Sequence, residues 1–234
     1  MTTSIFILTG AGISAESGIS TFRDEDGLWA NHRVEDVATP AAFKRNPDLV
    51  QNFYNERRAG LASVVPNAAH DALARLQRLH KGTVTLVTQN IDDLHERAGA
   101  QVIHMHGELV KARCVDCGTV QHWTDDITVE SSCIPCNTQN TLRPHIVWFD
   151  EIPLHMNEIE KALMEADTFA AIGTSGQVYP AAGYADVANA IGAKTIELNL
   201  KPSGSDRFCQ SLVGPATETV PAWVDSILDK GGCA

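Results

Sequence analysis

Residues 5–18 read Ile5-Phe6-Ile7-Leu8-Thr9-Gly10-Ala11-Gly12-Ile13-Ser14-Ala15-Glu16-Ser17-Gly18, and this stretch decides the fold. A short apolar run bounded by glycine reads as a strand buried on both faces, the kind found in parallel sheets. Gly10-x-Gly12-x-x-Ala15 directly behind it satisfies the loose dinucleotide fingerprint, in which glycines let the backbone approach a pyrophosphate at a helix N-terminus. The same pattern also fits a mere tight turn; its place straight after the first strand favours phosphate binding. An α/β fold with a doubly wound, Rossmann-like parallel sheet is the resulting expectation.

A hydride-transferring enzyme of this class next shows a second strand ending in an acidic residue about 20 positions on. Glu35 and Asp36 stand there, but no strand pattern does, which disfavours a dehydrogenase. Residues 20–65 instead carry Gly27-Leu28-Trp29 and two helices expected over residues 40–44 and 47–61. They form a helical excursion able to fold over a ligand. Arg23 is a candidate partner for phosphate charge, with a surface ion pair to Asp24 or Asp26 as the competing reading.

Outward from this start, a helix over residues 66–79 carries an apolar stripe of Ala69, Leu73, Leu76 and Leu79, with His70 near its start in a structural role. A strand over residues 84–87 then delivers Gln89, Asn90 and Asp92 to its carboxyl end, where open α/β sheets bind ligands. A short strand over residues 101–104 brings His106 to the same edge. Polar groups and one imidazole converging on a cleft suit a site that orients a polar ligand and moves a proton. Asn90 or Asp92 taken alone could as readily cap the helix starting near Asp93. Further strands over residues 168–172 and 194–198 end in Gly173-Thr174-Ser175-Gly176 and in Asn199, placed for phosphate and ribose, and a helix over residues 221–230 closes the chain.

Residues 110–145 break the α/β rhythm. Cys114-x2-Cys117 and Cys133-x2-Cys136, fifteen residues apart, have the spacing of a four-thiolate zinc site, with two disulfides as the competitor. Four thiolates close a tetrahedral shell and leave no position for substrate, so one structural Zn2+ per chain is expected. Cys209 and Cys233 have no partner at metal spacing. The aromatic segment that follows, from Leu142 through Val147-Trp148-Phe149 to Glu151, suits an edge on which a peptide could lie.

The 234 residues therefore divide into a Rossmann-like part (1–19, 66–109 and 146–234), a helical module (20–65) and a zinc module (110–145). Eighteen Lys and Arg against 29 Asp and Glu give a net charge of −11, which would repel a nucleic-acid backbone. No window approaches the roughly 18 apolar residues of a membrane span. Residues 1–9 lack a basic leader and run straight into a strand, so a cytoplasmic, non-membrane protein is expected, as a monomer.

In this order, Gly10-Ala11-Gly12-Ile13-Ser14 to Phe22-Arg23, Thr88-Gln89-Asn90-Ile91-Asp92, His106-Gly107, the four cysteines and Gly173-Thr174-Ser175 resemble a sirtuin over nearly the whole chain. The compact length is similar to bacterial sirtuins of the CobB type. The resemblance implies an NAD-dependent protein-lysine deacylase, with NAD as co-substrate and acylated lysine entering between the two domains. It implies His106 as general base, Gln89 and Asn90 for the ribose and attacking groups, and Ile91 and Asp92 for nicotinamide. Ala11, Arg23, Thr174, Ser175 and Asn199 match residues around the phosphates and adenosine. Val147 and Phe149 fall on the peptide-binding segment. Tyr54 and Arg57 match the pair that binds the distal carboxylate in members removing succinyl and malonyl groups, with Ala38 as the small residue that leaves room. The expected products are nicotinamide, O-acyl-ADP-ribose and free lysine; protein mono-ADP-ribosyl transfer is the alternative. Asp150 departs from the family's common glycine, and Ser20 from its common proline.

Overall fold

The computed structural model describes residues 3–20, 29 and 32–230. In chain order the elements are β1 (Ile5–Thr9), α1 (Val34–Val37), α2 (Pro40–Arg45), α3 (Pro47–Gly60), α4 (Ala68–Leu79), β2 (Val84–Thr88), α5 (Leu94–Arg97) and β3 (Ile103–His104). There follow β4 (Gly107–Cys114), β5 (Val120–His122), β6 (Leu142–Ile146), α6 (Met156–Met164), β7 (Thr168–Ile172), α7 (Tyr184–Ala190), β8 (Lys194–Asn199), β9 (Gln210–Val213) and α8 (Ala216–Lys230). Six strands make one parallel sheet in the order β3-β2-β1-β7-β8-β9. The chain winds outward from β1 to one edge, returns, and winds from β7 to the other, so the crevice of a doubly wound sheet opens between β1 and β7.

The unbroken apolar run of β1 follows from burial on both faces. Ile5 and Ile7 pack with Leu73, Leu76 and Val224 under α4 and α8. Phe6 and Leu8 point the other way, to Phe169, Ile159 and Tyr184 under α6 and α7. Phe6 is fully buried, stacked on Phe169 at 5.9 Å, and truncating such a ring costs about 3–5 kcal/mol.

A second, antiparallel sheet, β5-β4-β6, begins where the large one ends. Val37, Phe53, Tyr54, Leu109, Ile146 and Trp148 form one apolar cluster that fastens the helical excursion to it. Helix α3 starts at Pro47 behind Asn46, whose side chain accepts from the Leu49 amide at 3.2 Å, a fit of proline and cap to the first turn. Its two long faces serve different neighbours. Asn55 exchanges two hydrogen bonds with the Ile127 backbone (2.9 and 3.0 Å), and Arg58 donates to the Leu109 carbonyl at 2.7 Å. Tyr54 and Arg57, one position earlier in each case, face the cleft.

Several expectations need correction. Behind the glycine turn, where the fingerprint puts a helix start, the chain forms two 3-10 turns, Ala11–Ile13 and Ala15–Ser17. The strand expected from residue 101 is only Ile103–His104. Leu79 is 56% exposed: it is the last residue of α4, already past the sheet, and Ala72 takes its place in the stripe. Pro221 lies inside α8, which starts five residues earlier. Strand β9 has no apolar run to announce it, because it is an edge strand with exposed side chains. Among the described residues no helix is long and apolar enough to cross a membrane.

Candidate active site

A cleft of about 1160 Å3 runs along the carboxyl ends of β1, β2 and β7 and on between α3 and the segment after β6. It exceeds the roughly 300–1,000 Å3 of common small-ligand pockets, leaving room for two ligands. Gly10, Ala11, Gly12, Gln89, Asn90, Ile91, Asp92, His106, Gly173, Thr174, Ser175 and Asn199 all line it, as do Ala38, Tyr54, Arg57, Val147 and Phe149. Arg23 lies outside the described residues.

The two glycine-bearing turns interlock. Gly12 donates its amide to the Gly173 carbonyl at 2.8 Å, and Gly10 donates to Ile172 at 3.0 Å. A Cβ on Gly10 or Gly12 would stand 2.8 Å from the Gly173 oxygen, and one on Gly173, whose φ is +60°, would stand 2.4 Å from the Ile13 nitrogen. These glycines therefore permit close approach of main chain to main chain, which leaves the turns bare toward the cleft.

Under them lies a buried polar network. The Ser14 hydroxyl donates to Asp92 Oδ2 at 3.0 Å and accepts from the Asn90 amide at 3.2 Å, which also donates to the Gly10 carbonyl. Asp92 Oδ1 accepts from the Leu94 amide at 3.2 Å, so from the position before the N-cap Asp93 it satisfies the first amide of α5, which Asn90 does not. Burial pushes the Asp92 carboxyl up, with the Leu94 and Ser14 hydrogen bonds opposing. His70 Nδ1 accepts from the Asn67 amide in a capping box, and its Nε2 reaches Ser14 Oγ at 3.4 Å. Burial lowers the His70 pKa to about 4 and depresses His95, whose Nε2 meets Thr9 Oγ1 at 3.0 Å, well below the ordinary histidine value. Both rings are neutral.

His106 Nδ1 lies 3.1 Å from the Gln89 carbonyl. Only a protonated Nδ1 can meet that acceptor, so the neutral ring carries its lone pair on Nε2. Burial lowers its pKa below the ordinary value, partly offset by that carbonyl. Gln89 itself is held by its side-chain amide donating to Thr174 Oγ1 at 2.9 Å, and Asn199 donates to the Thr174 carbonyl at 3.2 Å.

At the other end Tyr54 is fully buried, and its hydroxyl accepts from Trp148 Nε1 at 3.1 Å. This leaves the phenolic proton available; burial pushes the phenol up, out of reach of ionisation. Arg57 donates to the Phe53 carbonyl, and its guanidinium sits 3.2 Å from the Phe53 ring centroid and 5.3 Å from that of Trp29. It makes no ion pair among the described residues, and burial lowers its pKa to about 10, still fully charged. The Val147 amide donates to the His106 carbonyl at 2.9 Å and the Phe149 amide to Ala38 at 3.0 Å, so residues 147–149 bridge the two ends.

Sequence reasoning missed what holds this bridge. Arg143 grips Glu151 with two bonds of 2.7 and 2.9 Å while lying 3.4 Å over the Trp148 ring, and Glu151 accepts the Trp148 amide at 2.9 Å. An arginine and a glutamate eight residues apart carry no periodic signal; the pairing exists only because the chain reverses between them. Asp150, in that reversal, has φ of +70°, the left-handed conformation that glycine adopts without a Cβ penalty.

The four cysteines converge. Cys114 and Cys136 Sγ are 3.8 Å apart, Cys117 and Cys133 Sγ 3.6 Å apart, and all four lie within 4.8 Å of one another. Four sulfurs each about 2.3 Å from one zinc would be spaced by about 3.8 Å. Each knuckle turns through a left-handed residue directly after its second cysteine, Gly118 at +72° and Asn137 at +54°. The cluster fits a structural zinc.

Comparison with known proteins agrees with this geometry. The model of the Sir2 family matches residues 10–180. The NAD-dependent protein deacylase SIR2rp3 of Trypanosoma brucei brucei is 61% identical over 236 residues, covering 98% of this chain and 97% of that protein. The NAD-dependent protein deacylase of Escherichia coli K12 is 58% identical over 228 residues, covering 96% and 82%. Among solved structures, a mutant Sir2 homologue in complex with ADP-ribose superposes with a TM-score of 0.90 at 36% identity, covering 99% of this chain and 94% of that one. A Sir2 homologue–NAD complex gives 0.86 at 36% identity, with 97% and 90% covered.

Proposed function

The chain belongs to the Sir2 family, and from that premise we propose how its residues divide the work of an NAD-dependent protein deacylase. NAD is its co-substrate, zinc its structural metal, and acyl groups on proteins its target. Bound NAD supplies a ribose carbon from which nicotinamide departs. The bare turns at Gly10–Gly12 and Gly173–Ser175 take the phosphates and, with Asn199, the adenosine side. Asp92 and Ile91 receive the nicotinamide. Gln89 and Asn90 orient the ribose.

His106 is the general base. The observation that carries this assignment is its tautomer: with Nδ1–H committed to the Gln89 carbonyl, Nε2 is the acceptor on a ring that lines the cleft. A lowered pKa keeps the ring neutral at pH 7, so it accepts a ribose hydroxyl proton without first losing one.

Acyl-lysine enters along residues 147–149. A distal carboxylate on the acyl chain, as in succinyl- or malonyl-lysine, meets Arg57 and the Tyr54 hydroxyl, a charge-assisted pair in a partly dry pocket. The support for this finer reading is that Arg57 is charged, lines the cleft and makes no ion pair among the described residues.

Parallel turnover of acetyl-, malonyl- and succinyl-lysine forms of one peptide with NAD, read by product mass, tests both levels. Free lysine and O-acyl-ADP-ribose are expected, with the acidic acyl groups preferred. An ADP-ribosylated protein without deacylated peptide would overturn the reaction, and equal turnover of all three acyl groups would overturn the carboxylate site.

A further inference from the structure

His104 ends β3 with its side chain 4% exposed and both ring nitrogens engaged. Nδ1 lies 3.1 Å from the Asn90 carbonyl and Nε2 lies 2.6 Å from Glu96 Oε1. Both partners are acceptors. A neutral imidazole has one proton and would set a lone pair against one of them; only the imidazolium donates to both.

The surroundings agree. Burial opposes a charge here, but the hydrogen bond and field of Glu96 on α5, with Glu108 on β4, outweigh it and hold the ring above the ordinary histidine value. Glu108 is itself paired with Lys111 at 2.6 Å. The other groups facing His104 are Asp92 in the loop and His95 on α5, which is neutral.

Two residues later His106 repeats the arrangement one carbonyl earlier, binding Gln89 where His104 binds Asn90. Two histidines of one segment thus hold two successive carbonyls of the loop that leads from β2 to α5. The Asn90 peptide cannot shift without moving the Gln89 carbonyl that fixes the His106 tautomer.

We propose that His104, held as an imidazolium between Glu96 and the Asn90 carbonyl, is a positioning residue for the deacylation: it sets the backbone against which His106 and the Asn90 side chain are aimed. It touches neither NAD nor the acyl group. The inference rests on the roles given above to His106 and Asn90, and it predicts a descending limb in the pH profile that belongs to His104 and is tuned by a residue outside the cleft.

Glu96→Gln is the test, since a half-exposed glutamate can lose its charge without disturbing the core and the amide oxygen still accepts from Nε2–H. Imidazole NMR and kcat/KM against pH, with an acetyl-lysine peptide and NAD, are measured on both proteins. In the unaltered protein His104 titrates above its ordinary value of about 6.5; in Glu96→Gln its titration falls by about one pH unit, a tenfold shift. The descending limb of kcat/KM moves down by the same amount, chiefly through kcat. A limb that stays put while the His104 titration moves overturns the proposal, as does a His104 already neutral at pH 7 in the unaltered protein. Absence of turnover in the unaltered protein would reject the proposed function instead. The NMR spectra then decide alone: an Ile91 amide and a His106 ring that follow the His104 titration support the positioning role, and signals that ignore it overturn it.

Discussion

The two ends of the cleft are built on opposite plans. At the Ser14–Asn90–Asp92–His106 end the polar side chains are tied to one another or to main-chain amides and carbonyls. At the Tyr54–Arg57 end a charged guanidinium rests on aromatic faces with no ion pair among the described residues, beside a phenol that accepts from Trp148. A satisfied network fixes geometry and tolerates little change. On the proposed function, the Arg57 cation finds its counter-charge in the ligand. On the same proposal, chemistry belongs to the first end and choice of acyl group to the second.

Metal removal should have the largest effect and strike the second end. Structural zinc contributes roughly 10–16 kcal/mol to the folding of small zinc peptides, so chelation should unfold the cysteine knuckles. Hydrogen exchange should then show β4–β6 and the Asn55–Ile127 contacts of α3 losing protection while β1, β2 and β7 keep theirs; uniform loss would merge the two ends into one cooperative unit. His106→Ala should lower kcat/KM by about 10²–10⁴, equally for acetyl and succinyl peptides. A loss that depends on the acyl group would show that the first end also selects. Arg57→Met should cost about 10- to 100-fold on succinyl- and malonyl-lysine, the worth of a charge-assisted hydrogen bond, and leave deacetylation nearly unchanged.

The pH dependence of stability sharpens the same contrast. His70 and His95 lie behind the first end with depressed values, so the unfolded chain binds protons that the folded chain refuses. Stability is complete above the unfolded value of about 6.5 and falls as pH drops toward the folded value of about 4 for His70. Urea denaturation should find a loss of about 2 kcal/mol from His70 alone between pH 7.5 and 5. His70→Gln should flatten that slope. The smallest effect is at the bridge between the ends: Asp150→Gly should relieve its left-handed strain and raise stability by about 0.5–1 kcal/mol, measured in the same denaturant series.

Much of this was readable from the chain because local rules cover it. The run at residues 5–8, the prolines at 40 and 47, the cysteine spacing and the glycine turns each carry their own physical reason within a few residues. What escaped is non-local. Ser14 and His70 meet across 56 positions, Trp148 and Tyr54 across 94, and neither pair has a period or spacing. The interlock of Gly12 with Gly173 was likewise hidden: the fingerprint spoke of phosphate, while the nearest thing each glycine admits is the other turn. That Arg57 makes no ion pair among the described residues follows from how the chain packs in space, and no spacing along it says so.

That interlock also bears on how such a chain can change over generations. Gly10, Gly12 and Gly173 each leave no room for a methyl group because another main chain already fills the space. A mutation at any one of them meets backbone, which cannot step aside as a side chain would, and no second mutation at the partner glycine restores the room, since there is nothing smaller than hydrogen to substitute. The three positions therefore have no neutral neighbours in sequence space, singly or in pairs. On the proposed function, the seam beneath the dinucleotide is the part of the cleft least open to substitution.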